Sequence, residues 1–176
     1  MKYTDEDILD AIFNKADGIV LPTLDPNDER HQSIDHSLLM RLQQLELDAV
    51  GMAEDNKLDA ALELLTTAIR LEPTYASAYN NRAQVHRLMG NDDAAYSDLD
   101  KAIEYGEGLN GILNRAFTQR ALISKSRGDA DKAQQDLIMA ARYGSHIAKA
   151  IVKGNNPYSK MCNAVVAEAM ARLTNE

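Results

Sequence analysis

Four histidines, one cysteine and one acidic run are the residues of this chain whose chemistry could build a metal centre or an active site. His31, His36, His86 and His146 have no HExxH or CxxC companion, and a metal site needs several such ligands converging. Asp25-Pro26-Asn27-Asp28-Glu29 begins like a calcium loop. However, Arg30 stands where the sharp turn needs glycine, and His36 where a closing glutamate belongs. Gly106, Gly108 and Gly111 join two helical stretches with no strand before them, so they do not read as a phosphate-cradling loop. Cys162 and the serines have no base placed to activate them. The expectation is a protein that is not an enzyme and holds no metal or cofactor.

One polar constellation does repeat. Arg82 and Asp98 are 16 residues apart, as are Arg120 and Asp136, whereas Asp48 and Leu64 occupy the corresponding places one period earlier. Two partners that are present together and absent together imply a pair between the helices of one hairpin, a buried or half-buried salt bridge. The other reading, arginines reaching for a ligand, stays open beside it.

The elements that carry these residues are helices. Between Ala76 and Glu107, Tyr79, Ala83, Val85 and Leu88 form one apolar stripe and Ala95, Leu99, Ala102 and Ile103 a second, both at helical spacing. Gly90 separates them as a helix stop, with Asn91 or Asp92 available as a cap. A shift of 34 residues toward the N-terminus places Leu45, Ala49, Asn56, Ala61, Leu65, Ala68 and Leu71 on Tyr79, Ala83, Gly90, Ala95, Leu99, Ala102 and Tyr105. A shift of 38 the other way places Phe117, Ala121, Gly128, Ala133, Leu137, Ala140 and Tyr143 on the same set, with the four extra residues assigned to the joint from Gly106 to Gly111. Three hairpins are the minimum that stacks into a stable array. The alanines mark close helix crossings, where a larger side chain would overpack at a cost of about 1 to 3 kcal/mol.

The expected helices are 37–54, 57–71, 75–89, 92–105, 112–127 and 130–143. A short helix at 147–152 follows, then a break at Gly154-Asn155-Asn156-Pro157 and a last helix whose stripe includes Tyr158, Met161, Cys162, Val165, Val166 and Leu173. That stripe would lid the apolar end of the array, and Cys162 within it reads as a buried small hydrophobe. At the other end, Thr4 can cap a short helix with Asp5, Glu6 and Asp7 at its positive end and Ile8, Leu9, Ile12 and Phe13 on one side. A helix of that length is unstable unless it docks. Leu21 to Asp35, with Pro22 and Pro26, reads as a strap. The expected division is an N-terminal helix and strap at 1–36, repeats at 37–144 (about 42–75, 76–109 and 114–144), and capping helices at 145–176.

Composition agrees with an all-α chain. The 176 residues are 45% hydrophobic and 26% charged, with four prolines, two phenylalanines and no tryptophan. A net charge of −8 argues against nonspecific binding to nucleic acid or to anionic membranes. The single cysteine, the acidic start and the lack of a long apolar run lead to the expectation of a cytoplasmic protein.

The pattern of a large residue, a small one four later, a Gly or Asn turn, then small, Leu, small resembles the tetratricopeptide repeat. Its terminal proline is present once, as Pro73, with Glu107 and Ser145 in its later places. The resemblance implies a right-handed array of three helical hairpins whose first helices line a concave groove. That groove would present Ser77, Asn80, Asn81, Gln84, Arg87, Arg115, Thr118, Gln119, Leu122 and Lys125, with Glu46, Leu47, Val50 and Glu54 from the first repeat. Merely solvated helix faces are the other reading of the same residues. Repeat proteins that clamp the acidic tails of heat-shock chaperones use Lys and Asn from the first repeat, Asn from the second, and Lys and Arg from the third. Here Asn81 matches the second-repeat Asn and Arg115 replaces the third-repeat Lys, while Glu46, Val50 and Gln119 stand in the other three places.

A longer resemblance rests on Asp10 to Asn14, Ala76 to Gln84, Arg142 to Ser145, Asn156 to Tyr158 and Met161 to Asn163, which are similar to the tetratricopeptide repeat protein 36 family. It implies a small non-catalytic adaptor that partners a seventy-kilodalton heat-shock chaperone and is linked to tyrosine metabolism. The alternative expectation is an adaptor that shields a metabolic enzyme through its convex or terminal surfaces. Neither the partner nor the oligomeric state follows from the residues themselves.

Overall fold

A computed structural model describes residues 34–155. The short helix expected near the N-terminus, most of the strap, and the last capping helix with Cys162 and Leu173 lie outside the described residues. Seven helices follow one another among the described residues: α1 (His36–Glu54), α2 (Leu58–Leu71), α3 (Ala76–Leu88), α4 (Asp92–Tyr105), α5 (Asn110–Ser126), α6 (Ala130–Arg142) and α7 (His146–Asn155). They pair as α1 with α2, α3 with α4 and α5 with α6, and each hairpin stacks on the next through α2 with α3 and α4 with α5. The first helices also touch one another, α1 with α3 and α3 with α5. This puts them in one layer. α7 packs on α6.

The hairpin turns repeat in detail. Asn56, Gly90 and Gly128 have φ of 60°, 77° and 79°, the left-handed conformation that closes a helix end. Around each, two bonds satisfy the last carbonyls of the helix. At the second turn Gly90 N–H donates to Arg87 at 2.9 Å and Asn91 N–H to His86 at 2.8 Å, and at the third Gly128 donates to Lys125 at 3.0 Å and Asp129 to Ser124 at 2.9 Å. Glycine takes this conformation at no steric cost, and asparagine is the usual substitute.

The small residues sit where the helices cross. Ala49, Ala61, Ala68, Ala83, Ala95, Ala102, Ala116 and Ala140 are fully buried, with Leu65 and Leu99 beside them. The large positions also correspond across repeats. Tyr79 meets Tyr105 with ring centroids 5.7 Å apart, and Phe117 meets Tyr143 at 5.7 Å. Asp35 caps α1 by accepting from Ser37 N–H at 3.1 Å and Leu38 N–H at 3.3 Å.

Two expectations about length need correction. The extra four residues do not widen the joint after α4. Residues 106–109 link α4 to α5 just as residues 72–75 link α2 to α3, and the insertion appears instead as an added turn of α5, 17 residues long against 13 for α3. The added turn buries Ile112 and Leu113, which outweighs the roughly 1 kcal/mol penalty of Gly111 in a helix. At the other end, the helix expected to stop at Val152 runs through Gly154 to Asn155. One glycine near a helix end is a small penalty, whereas the backbone constraint of Pro157 acts on the residue before it.

Candidate functional site

The repeated pairs are present and close. Arg82 grips Asp98 with Nε and Nη2 both at 2.7 Å, and Arg120 grips Asp136 at 2.9 and 2.7 Å. Each is a two-bond fork between the helices of one hairpin. The arginines are 20% exposed and the aspartates 8% and 7%, so the pairs are half-buried and structural. Asp48, the first-repeat counterpart, is exposed and accepts from Gln44 at 2.9 Å. A third contact was not foreseen from the sequence: Arg82 also donates to Thr66 at 3.2 Å and Arg120 to Asp100 at 2.6 Å. Thr66 and Asp100 are one 34-residue period apart, which was the available signal. Each arginine thus ties its own hairpin to the second helix of the one before.

The layer formed by α1, α3 and α5 holds the expected groove residues, and they separate into two groups. Asn81, Gln84, Arg87, Arg115 and Leu122 are partly exposed and Lys125 is exposed. Ser77, Asn80, Thr118 and Gln119 are buried, contrary to the expectation that the groove presents them. The cause for the central two is their mutual bond: Gln119 donates its amide to Asn80 Oδ1 at 3.2 Å, fastening α5 to α3. Neighbouring first helices approach closely enough that medium-sized polar groups bond across the seam instead of facing outward.

Glu46 departs furthest from its expected place. The sequence pattern puts it in the groove as a carboxylate, whereas it is fully buried. Its oxygens accept from Tyr75 O–H at 2.7 Å and from the Asn81 side-chain amide at 2.8 Å. Burial pushes its pKa up, while these donors and the charge of Arg115 pull the other way. Burial also raises the Tyr75 hydroxyl, with Glu46 adding to the effect. The amide of Asn81, one of the two clamp positions kept in kind, therefore bonds within the protein.

Apolar surface lies beside the polar staple. A shallow cleft is lined by Ala49, Val50 and Ala53 of α1, Leu65 of α2, and Asn81, Gln84, Val85 and Leu88 of α3. Leu47 and Leu88, on the same two helices, are 45% and 48% exposed. α3 and α5 contain no aspartate or glutamate, and they carry Arg82, Arg87, Arg115, Arg120 and Lys125. Burial lowers the Arg87 pKa. Among the described residues no cluster of His, Cys, Asp and Glu could hold a metal ion, and no helix is long and apolar enough to cross a membrane.

Comparison with known proteins agrees with this geometry. A TPR repeat model matches residues 53–90, and a tetratricopeptide repeat model matches residues 76–105. The chain is 36% identical to tetratricopeptide repeat protein 36 of Danio rerio, over 97% of this chain and 94% of the relative. It is 41% identical to the homologue from Nematostella vectensis, over 97% and 95%, and 37% identical to the Homo sapiens protein, over 96% and 94%. Among solved structures it is similar to the first TPR of Spaghetti (RPAP3) bound to the HSP90 peptide SRMEEVD, with a TM-score of 0.54, 16% identity and coverage of 75% of this chain and 94% of the other. The Arabidopsis OM64 TPR domain has a TM-score of 0.53, 17% identity and coverage of 75% and 98%.

Proposed function

This chain belongs to the tetratricopeptide repeat protein 36 family, and we propose that it is a non-catalytic cytosolic adaptor that holds a segment of a partner protein against α1, α3 and α5. The supporting observation is the sorting of charge. On a protein of net charge −8, α3 and α5 carry no carboxylate, and beside Arg82 and Arg120, which are held in the interhelical forks, they place Arg87, Arg115 and Lys125 on the groove layer. Next to those cations are Leu47, Leu88 and the cleft between α1 and α3. A complementary segment combines carboxylates with apolar residues, the helix-in-groove type of recognition.

A heat-shock chaperone, including one of the seventy-kilodalton class, is the partner that the family resemblance brings forward. Its tail is a poor fit to a conventional clamp here. A peptide such as SRMEEVD would meet Arg115 and Lys125, but Asn81 is held by Glu46, and Val50 and Gln119 supply no charge. The expected affinity for such a tail is weak, about tens of micromolar or worse. The engagement of Asn81 favours a second reading, an adaptor that covers a metabolic enzyme, with the family's link to tyrosine metabolism, through its outer or terminal surfaces.

Calorimetric titration separates these readings. SRMEEVD and a short acidic peptide with leucines at helical spacing are titrated into the full chain and into its Arg115→Glu and Leu88→Glu variants. The adaptor groove requires that the amphipathic peptide bind more tightly than SRMEEVD and that both substitutions weaken it. Binding indifferent to both substitutions overturns the groove, and no binding of either peptide favours the shielding adaptor.

A further inference from the structure

We propose that the seam between α1 and α3 is a carboxylate-binding site already filled from within by Glu46, and that this side chain makes the groove refuse a partner's chain-terminal carboxylate at Asn81. Its bearing on partners rests on the groove reading above. Four groups converge on the one buried carboxylate: the Tyr75 hydroxyl donates to one oxygen at 2.7 Å and the Asn81 amide to the other at 2.8 Å, the Ser77 hydroxyl lies beside it, and Arg115 on α5 adds positive charge. Donors on both oxygens with a cation nearby are what a site for a free carboxylate needs.

Fastening two of these helices together does not by itself call for a carboxylate. One repeat on, Asn80 and Gln119 stand in the places of Glu46 and Asn81, and Gln119 donates to Asn80 Oδ1 at 3.2 Å to hold α5 on α3. A neutral amide is thus a sufficient acceptor in that seam. Tyr75 likewise has an apolar counterpart, Leu113. A buried carboxylate carries a desolvation cost that an amide avoids, and of the two seams the one between α1 and α3 gathers the donors that offset it. The site also lies where a ligand would pass. Val50 is one helical turn beyond Glu46 on α1, and Val50 and Asn81 both line the cleft between α1 and α3. Asn81 is partly exposed there, so a carboxylate entering along the cleft reaches its amide only by displacing Glu46.

Glu46→Ala removes a carboxymethyl group, the counterpart of acetate. Acetate, at constant pH and ionic strength, should therefore raise the urea midpoint of the full-length variant, or fold it where it is unfolded in chloride, and leave wild type unchanged. No gain in the variant beyond that of wild type overturns the site. The partner arm titrates SRMEEVD with a free C-terminus and as its C-terminal amide. Wild type should bind the two within about twofold of each other, whereas Glu46→Ala should favour the free acid about tenfold, the effect of one charge-assisted hydrogen bond. Acetate should abolish that preference. A free-acid preference in wild type as large as in the variant overturns the refusal. Acetate rescue with no binding of either peptide upholds the filled site and removes the groove reading alone. For a variant unfolded in both salts, wild type decides: SRMEEVD should leave the NMR signals of the Asn81 side-chain amide in place, and their displacement overturns the proposal.

Discussion

Arg82 on α3 holds Asp98 on α4 through two parallel bonds of 2.7 Å, and the same guanidinium reaches back to Thr66 on α2. Three helices from two successive hairpins therefore share one side chain. Arg120 repeats the arrangement with Asp136 and Asp100.

Removing an aspartate should show how much this sharing stabilises the stack. Asp98→Ala or Asp136→Ala is expected to cost about 2 to 3 kcal/mol. That is below the ~3 to 5 of a fully buried pair, because each arginine keeps an edge in water. Urea denaturation of the two single variants and of Arg82→Ala with Asp98→Ala checks it. A loss below about 1 kcal/mol would mean that the forks behave as surface ion pairs.

The repeat spacing made these pairs legible before any coordinates. Alignment of Arg82 with Arg120 and of Asp98 with Asp136 fixes two partners on facing helices, and alignment of Asn56, Gly90 and Gly128 fixes the turns. The period says less about what lies between repeats. Glu46 and Gln119 occupy positions that face outward in one isolated hairpin, and both become buried where a neighbouring first helix packs beside them, α3 in each case. Whether a polar group there meets solvent or a neighbour depends on helix separation, which spacing along the chain does not encode. The added turn of α5 was hidden for a related reason. Gly111 reads as a breaker, and the burial of Ile112 and Leu113 that overrides it is tertiary.

Gly106 offers a sharper test of packing than the turn glycines. A Cβ there would lie 2.4 Å from the Ala102 carbonyl oxygen and 3.2 Å from Leu113 Cδ2. Gly106→Ala should therefore destabilise by about 1 to 3 kcal/mol through overpacking. Gly90→Ala, at φ 77° with open space around it, should cost about 1 to 2 kcal/mol through backbone strain alone. Combining Gly106→Ala with Leu113→Ala relieves part of the first clash and none of the strain at Gly90. Double-mutant denaturation curves distinguish the two causes.

Leu88 separates binding from folding. At 48% exposure it contributes little to the core, so Leu88→Ser should change stability by no more than about 0.5 kcal/mol. The same change should weaken an amphipathic acidic peptide several-fold, since part of its apolar seat is gone. Paired melting and titration curves on one preparation test this. A large fall in melting temperature would make Leu88 a core residue and remove the apolar half of the groove.

The pH dependence of folding should carry the signature of Glu46. Burial raises its carboxyl pKa above the ordinary 4.5, so the folded chain holds the proton more tightly than the unfolded one. Below pH 4.5 both states are protonated and the fold incurs no ionisation penalty. As pH rises from 4.5 through the folded-state value, the unfolded chain releases its proton first and stability is lost. His86 acts with the opposite sign: burial lowers its pKa from 6.5, so its contribution is present above 6.5 and lost as pH falls through the folded value. Total stability mixes the two. Glu46→Gln removes only the first, keeping a carbonyl oxygen for Asn81 or Tyr75. The stability of Glu46→Gln relative to wild type should therefore rise from pH 4 to pH 8, whatever its sign at the acid end. Urea midpoints of both proteins across that range provide the measurement. A difference that stays flat or falls with pH would mean that the Tyr75 and Asn81 bonds and the charge of Arg115 outweigh burial at this carboxylate.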